Sequence, residues 1–135
     1  MMEHCYKHGR VKEVMGLILG ETYEHNGKTF SVAKDVATSD LDATEVNVRF
    51  ENFEKLFDQL EGIKYDYQIL GWYHSHPGHT CFMSGTDILT QQRMFKLPYQ
   101  HALVIDPINN DMKCFALDQN NKKKVKSKGF AIIDN

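Results

Sequence analysis

Short apolar runs separated by polar turns make up most of the chain, a pattern typical of strands. Residues 14–23 are apolar and short, which predicts a buried strand. The dipeptide Asn26-Gly27 follows, and it favours a two-residue hairpin turn. Residues 29–36 are therefore predicted to return as a paired strand, with Phe30 and Val32 on one face.

The period changes in residues 51–63, where apolar side chains recur at helical spacing with charges between them. These are Phe53, Leu56, Phe57, Leu60 and Ile63, and Gly62 lies near the expected end of the helix. Residues 68–73 return to the pattern of a buried strand. A second helix is predicted to start at residues 84–87 and to reach Phe95 or Lys96, before Pro98.

The remaining segments predict strands joined by turns. Residues 101–106, 112–117 and 125–133 are the predicted strands, with a turn at 107–111. The polar segment 37–47 is predicted to be a loop or a weakly packed edge strand. This order, without strict alternation of strand and helix, predicts an α/β chain of the α+β type. We expect a mostly antiparallel sheet flanked by helices, in a single domain over residues 1–135.

Composition bears on partners and location. The 135 residues carry a formal net charge of −2, so neither nucleic acid nor a membrane surface is an expected partner. The longest apolar run, residues 14–20, is far shorter than the roughly 20 residues that cross a bilayer. Cys5, Cys81 and Cys114 are odd in number and form no C-x-x-C pair. Reduced thiols and a cytoplasmic location are therefore expected.

Two histidines after the predicted strand 68–73 carry the clearest chemical signal. His74 and His76 are two positions apart, and alternate residues of a strand point to the same side. Pro77 ends the strand, so both imidazoles are expected at its mouth. Asp87 lies in the first turn of the next helix and can face the same point. Two imidazoles and one carboxylate suit one zinc ion per chain, with a fourth position open for water. The alternative is that such a histidine pair consists of surface or packing residues.

A catalytic zinc site also needs a carboxylate that takes the proton of the activated water. Glu13 is the candidate, because it begins a predicted strand whose end can reach the histidines. The residues alone leave other glutamates open: Glu3, Glu21 and Glu45. Ser84 is a candidate donor to the oxyanion that forms during attack. Ser84 and Asp87 also form S-x-x-D, a variant of the capping box, so a purely structural role stays open for both.

The joint pattern resembles the JAMM (MPN+) metallopeptidase family, whose motif is a glutamate, then H-S/T-H-P, then S-x-x-D after a short spacer. The matching residues are Glu13, His74-Ser75-His76-Pro77 and Ser84-Gly85-Thr86-Asp87. The sequence around them is similar to the proteasome-lid deubiquitinase and signalosome deneddylase branch of that family. This similarity covers residues 13–20, 71–78, 81, 84–88, 90–92 and 104–107, and it runs from about Val11 to about Leu117.

The resemblance implies an MPN/JAMM (cytidine-deaminase-like) fold, with a long helix on one side of a curved sheet and the Ser84 helix on the other. It implies that His74, His76 and Asp87 bind Zn²⁺, that Glu13 is the general acid and base, and that Ser84 supports the oxyanion. Family members cleave isopeptide bonds to lysine. The implied partners are ubiquitin or a ubiquitin-like protein with its conjugates, and the proteasome. The C-terminal helices of the eukaryotic lid subunit have no counterpart here, so a compact homologue of the archaeal type is expected.

Residues near the motif carry further expectations. A substrate tail is expected to add as a strand to an exposed edge, for which residues 44–48 are the candidate unless they form a plain loop. Phe82 and Met83 either line the tail groove or belong to the core. His79 is a candidate substrate contact, and Cys81 is expected to be a buried thiol. The basic run is expected on a solvated hairpin edge, with an acidic partner as the alternative; it comprises Lys122, Lys123, Lys124, Lys126 and Lys128.

Three functions compete. The complete motif favours an isopeptidase that acts on ubiquitin or a ubiquitin-like protein. A non-catalytic scaffold that binds such proteins would keep the fold without the metal. A peptidase that trims carrier-protein tails in sulfur metabolism would use the same residues with a different tail groove. The isolated histidines are not expected to bind metal in any of these cases: His4, His8, His25 and His101.

Overall fold

The computed structural model describes residues 1–8, 13–39, 46–61 and 66–132. The elements in chain order are α1 (Met2–His8), β1 (Met15–His25), β2 (Lys28–Ser39), α2 (Val46–Glu61), β3 (Gln68–Ser75), α3 (Gly85–Met94), β4 (His101–Asp106), β5 (Asp111–Leu117) and β6 (Val125–Lys128). No helix within these ranges has both the length and the apolar character needed to cross a membrane.

The described strands form one six-stranded sheet in the order β2-β1-β3-β4-β5-β6. Neighbouring strands are antiparallel except β3 and β4, which run parallel with Ser75 paired to Ile105. A parallel pair requires a crossover connection, and α3 lies in it. The predicted mostly antiparallel sheet flanked by helices is therefore confirmed. The parallel pair matters for the site, because it brings the carboxyl ends of β3 and β4 to the same edge of the sheet.

Helices cover both faces of the sheet, but not in the expected arrangement. Helices α2 and α3 pack on the same face, where Phe53 meets Phe95 edge to face with ring centroids 5.2 Å apart. The opposite face is covered by α1, whose Cys5 is buried in a cluster with Tyr73. The expectation that the long helix and the Ser84 helix lie on opposite sides is wrong. Both helices bury apolar side chains around Trp72, and the short α1 covers the other face.

A glycine determines which residues of β3 face α2 and α3. The β1–β3 register shifts near Gly71. Gly71 has a φ of +145°, and a Cβ there would lie 1.8 Å from the carbonyl oxygen of His101, so only glycine fits. Because of this irregularity, Ile69 and Trp72 pack in the same cluster although they are three positions apart. His74, two residues after Trp72, therefore faces the same layer.

Three predicted boundaries differ from the structure. Residues 37–39 complete β2, whereas residues 40–45 lie outside the described ranges. Helix α2 begins at Val46 rather than at residue 51, so the proposed edge strand 44–48 is wrong from Val46 onward. Alternating Val46-Asn47-Val48 is typical of a strand, but here the helix extends through it. Strand β6 ends at Lys128 instead of continuing toward residue 133, which is itself not described.

Two local predictions are confirmed. Asn26 and Gly27 have φ values of +53° and +77°, as a two-residue turn between twisted strands requires. Strand β6 lies at the edge of the sheet, and its Lys126 and Lys128 are exposed to solvent. Charged side chains on an edge strand discourage pairing with another chain. The alternative, an acidic partner for this edge, stays a prediction.

Candidate metal centre

Four side chains from separate segments meet at one edge of the sheet. Glu13 precedes β1, His74 and His76 lie at the end of β3, and Asp87 is in the first turn of α3. One potential ligand atom from each lies within 4.8 Å of the other three. The fold thus brings together the three residues predicted to bind metal and the residue predicted to move the proton.

Three of the ligand atoms form a nearly equilateral triangle. Nε2 of His74, Nε2 of His76 and Oδ2 of Asp87 each lie 3.1 Å from the other two. Zinc binds histidine nitrogen and carboxylate oxygen at roughly 2.0–2.1 Å, so two ligand atoms of one tetrahedral ion are about 3.3 Å apart. The observed spacing is close to that value. Both the donor set and its dimensions fit a zinc ion.

Burial separates the three triangle residues from the glutamate. His74 and Asp87 are fully buried and His76 is 5% exposed, whereas the side chain of Glu13 is 30% exposed. Oε1 of Glu13 lies 3.6 Å from Nε2 of His76. A cleft of about 210 Å³ opens here, lined by Glu13, His76, His79, Phe82 and Ser84. The triangle is therefore closed on the protein side and accessible from the cleft.

The electrostatics of the cluster favour a cation. Burial disfavours the protonated imidazole of His76, but the hydrogen bond to Asp87 and the charges of Asp87 and Glu13 outweigh burial and raise the pKa of His76. The environment therefore stabilises positive charge at this point. A metal cation in the same place would meet the same two carboxylates while the imidazoles stay neutral.

The start of α3 orients Asp87. Ser84 is the N-cap, and its Oγ accepts the backbone N–H of Asp87 at 3.1 Å. The carboxylate reciprocates, since Oδ2 of Asp87 accepts the backbone N–H of Ser84 at 2.9 Å. This is the capping box that the sequence predicted. The same Oδ2 also faces both histidines. This one oxygen has two lone pairs, so it can cap the helix and also be a metal ligand.

A buried network behind His74 was missed by the sequence analysis. The ring of His74 stacks on that of Trp72, with centroids 4.3 Å apart. Nε1 of Trp72 donates to Oε1 of Gln91 at 2.6 Å. Nε2 of Gln91 donates in turn to the carbonyl oxygens of Phe95 and Gln100. One signal for Gln91 was available, because it follows Asp87 by four positions and so lies on the same face of the helix.

The strand residue between the histidines ties them to the glutamate segment. Oγ of Ser75 accepts the backbone N–H of Val14 at 2.9 Å, and the Ser75 N–H donates to the Val14 carbonyl oxygen at 3.0 Å. Ser75 is fully buried. Val14 directly follows Glu13, so these two bonds fix the backbone from which the Glu13 side chain extends. The sequence pattern alone gave no sign of this role.

The loop after His76 contacts the His76 ring. Nδ1 of His76 lies 3.3 Å from the carbonyl oxygen of Thr80, and the His76 ring packs 4.9 Å from that of Phe82. Phe82 is exposed and lines the cleft, whereas Met83 is buried in the α2–α3 core. Of the two positions predicted for these residues, Phe82 lies at the cleft and Met83 lies in the core. Cys81 is buried, and burial raises the pKa of its thiol to about 11, which fits the predicted structural role.

Comparisons with known proteins identify a matching family, similar sequences and a similar fold. Residues 1–98 match the family described as JAB1/Mov34/MPN/PAD-1 ubiquitin protease. COP9 signalosome complex subunit 5 of Debaryomyces hansenii is 38% identical over 112 residues, covering 78% of this chain and 23% of that protein. The 26S proteasome regulatory subunit rpn11 of Schizosaccharomyces pombe is 39% identical over 115 residues, covering 82% and 36%. Ubiquitin carboxyl-terminal hydrolase RPN11 of Saccharomyces cerevisiae is 37% identical over 135 residues, covering 95% and 40%.

The chain thus spans less than half the length of these curated relatives. Among solved structures, the solution structure of protein DSY2949 from Desulfitobacterium hafniense is similar, with a TM-score of 0.62. It covers 99% of this chain and 89% of that chain at 21% sequence identity. At that level of identity the likeness concerns the fold alone.

Proposed function

The chain belongs to the JAB1/Mov34/MPN/PAD-1 ubiquitin protease family, and from that premise we propose that it is a zinc-dependent isopeptidase. Its substrates are proposed to be lysine conjugates of ubiquitin or a ubiquitin-like protein. The observation that carries the proposal is the convergence of Glu13, His74, His76 and Asp87 within 4.8 Å. A relative that is named a ubiquitin carboxyl-terminal hydrolase supports the proposed reaction.

His74, His76 and Asp87 would hold the zinc. Two imidazole nitrogens and a carboxylate form a three-ligand set, and three protein ligands with an open fourth position are typical of catalytic rather than structural zinc. When bound, zinc supplies a Lewis acid and lowers the pKa of a water molecule to about 7. The burial of all three ligands keeps bulk water from their protein side, which strengthens the local electrostatics.

Glu13 is the proposed general acid and base. Its Oε1 lies 3.6 Å from Nε2 of His76, and its partly exposed side chain lines the cleft from which substrate would arrive. From this position the carboxylate can accept the proton of the attacking water at Oε1. It can then deliver that proton to the lysine amine as the isopeptide bond breaks.

Ser84 is proposed to stabilise the developing negative charge. Its Oγ already accepts the N–H of Asp87 at 3.1 Å, so the hydroxyl hydrogen is available for donation to another group. Ser84 lines the same cleft as Glu13. The hydroxyl can therefore donate to the oxygen of the scissile carbonyl as that oxygen gains charge, an interaction worth about 10²–10³ in rate in other hydrolases.

The substitution Glu13→Gln tests the proposal. The amide keeps the size of the side chain but cannot take the proton, so we expect the variant to bind zinc like the parent and to lose nearly all turnover. Cleavage of isopeptide-linked diubiquitin and zinc content are the two measurements. Glu24→Gln is the matched control, since Glu24 is an exposed glutamate of β1 and does not line the cleft. Cleavage by Glu13→Gln at the parental rate would refute the assigned role.

Zinc content and cleavage measurements also separate the isopeptidase from the two alternative functions. A protein that stays free of zinc under zinc-replete conditions would favour the scaffold that binds ubiquitin-like proteins. Cleavage of sulfur-carrier tails regardless of the folded carrier, without cleavage of lysine conjugates, would favour the trimming peptidase. Association with the proteasome and the cytoplasmic location inferred from the thiols stay proposals, as does a single domain over residues 1–135.

A further inference from the structure

One buried carboxylate that accepts many hydrogen bonds plays no part in the proposed chemistry. Asp106 ends β4 and is fully buried. Its two oxygens accept five hydrogen bonds from two separate loops. The donors are Gly78 N–H (2.9 Å), Thr80 N–H (3.1 Å), Ile108 N–H (3.0 Å), Asn109 N–H (3.1 Å) and Asn109 Nδ2 (2.7 Å).

The parallel pairing of β3 and β4 explains why Asp106 meets the loop after His76. Ser75 pairs with Ile105, and the His76 N–H donates to the Ile105 carbonyl oxygen at 2.8 Å. Both strands end at the same edge, so the residue after Ile105 stands beside the segment that leaves His76. The chain then folds back over Asp106, and two of its backbone N–H groups point at the carboxylate.

The backbone of this loop is held in conformations that need support. Thr80 has a φ of +65°, which is unfavourable for a residue with a branched Cβ, and Gly78 has a φ of +77°. In this conformation the Thr80 N–H faces Asp106, and the Thr80 carbonyl oxygen lies 3.3 Å from Nδ1 of His76. One peptide segment therefore connects the carboxylate to the imidazole.

We propose that Asp106 is a positioning residue for the metal centre. By holding the N–H groups of Gly78 and Thr80, it fixes the Thr80 carbonyl as the acceptor for Nδ1–H of His76. That bond sets the tautomer and the ring orientation, so that the Nε2 lone pair of His76 points toward His74 and Asp87. The inference rests on the proposed metal centre. Partners of this kind typically change metal affinity by about 10–100-fold when they are removed.

The substitution Asp106→Asn tests the inference. It keeps the shape of the side chain but replaces one acceptor oxygen with a donor NH₂ group, which opposes the backbone N–H groups. We expect zinc affinity of the purified chain, measured by competition with a chromophoric chelator, to fall by about 10-fold or more. In the zinc-loaded protein, the ¹⁵N-bound Nδ1 proton of His76 is expected to exchange with solvent faster than in the parent.

Two control variants separate loop positioning from general stability. Asp118→Asn changes another turn carboxylate, which accepts the Asn120 N–H at 2.9 Å far from the site. Asn109→Ala removes one donor to Asp106 on the side of its own turn and leaves Gly78 and Thr80 bonded. Both are expected to bind zinc within about threefold of the parent, since neither changes the loop after His76.

A second variant keeps the inference testable if Asp106→Asn does not fold. Gly78→Ala strains the loop at a positive φ, while its added methyl group meets no atom within 4 Å. We expect it to lower zinc affinity in the same direction. Parental zinc affinity in either variant would overturn the role of Asp106, and so would a parent chain that does not bind zinc. If zinc binding follows the inference but Glu13→Gln cleaves at the parental rate, the proposed function alone fails.

Discussion

Replacing Gln91 by leucine tests how the core supports the metal centre. The Gln91 side chain is fully buried. It accepts from Nε1 of Trp72 at 2.6 Å and donates to the carbonyl oxygens of Phe95 at 3.0 Å and Gln100 at 3.2 Å. Leucine has a similar size but can make none of these bonds. The substitution therefore removes three buried hydrogen bonds with little change in packing volume.

The expected loss follows from the groups that lose a partner. Each buried donor or acceptor that loses a partner costs about 1–3 kcal/mol, and incomplete relaxation of the site makes the sum less than additive. We expect Gln91→Leu to lower the free energy of unfolding by about 2–4 kcal/mol. For a chain of this length, that corresponds to a fall in Tm of about 8–15 °C. Because Trp72 stacks on His74, zinc affinity is expected to fall by roughly three- to tenfold as well.

Urea titration of the zinc-free protein and chelator competition are the two assays. Gln92→Leu is the matched control, since Gln92 is its neighbour on α3 and donates to the Lys122 carbonyl oxygen at 2.8 Å at an exposed site. That variant is expected to lose less than about 1 kcal/mol and to keep parental zinc affinity. Equal losses in the two variants, or a Gln91→Leu loss below about 1 kcal/mol, would refute the view that this network supports the site.

Two further predictions concern Ser75 and Asp106. Ser75→Ala removes the acceptor for the Val14 N–H and is expected to lower the free energy of unfolding by about 1–2 kcal/mol and turnover by about tenfold or more. Ser75→Thr keeps the hydroxyl and should stay closer to the parent, so equal rates in both variants would contradict the link to Glu13. Burial opposes ionisation of Asp106, but its N–H donors outweigh burial and hold its pKa well below the usual range. The stability that this carboxylate contributes is therefore present above about pH 4 and is lost as the pH falls below it. In acid, the free energy of unfolding should fall more steeply for the parent than for Asp106→Asn. Parallel curves for the two proteins would count against this contribution of Asp106.

Local sequence patterns predicted the parts of the site that lie close together along the chain. His74 and His76 share a strand face, and Asp87 belongs to a helix whose N-cap has a sequence signature, so spacing alone predicted their approach. Glu13 is distant in sequence: its place at a predicted strand end made it a candidate, but only the resemblance separated it from the other glutamates. The structure groups Glu13 with the other three, whereas two of the alternatives are occupied elsewhere: Glu3 pairs with Lys7, and Glu21 pairs with Lys34.

Features that depend on distant contacts were not predictable from periodicity. Helix α1 has seven residues, too few for a helical period to stand out. The layer shared by α2 and α3 depends on an irregularity at Gly71, which is set by the close approach of His101 in another strand. Asp106 receives two of its five hydrogen bonds from a loop that only the parallel pairing brings near. The last two of these features depend on strand pairing, which local propensity does not encode.

The pairing of β1 with β3 sets the geometry that the proposed chemistry requires. The last ladder pair at this edge joins Met15 to His74, and both residues are fully buried on the face of α2 and α3. The next pair outward, Val14 and Ser75, is held by two hydrogen bonds of 2.9 and 3.0 Å. The register is therefore fixed up to the last residue before the site.

Continuing this register by one residue sets Glu13 opposite His76, on the same face as the ligand triangle, because alternate residues of a strand share a face. A slip of one residue would place apolar Val14 opposite His76 and turn Glu13 to the other face of the sheet. The two bonds between Val14 and Ser75 thus anchor the segment whose Glu13 carboxylate lies 3.6 Å from the His76 imidazole. The backbone beside the proposed proton-transfer residue is thereby anchored to the sheet edge, which favours the fixed distance that general acid–base catalysis requires.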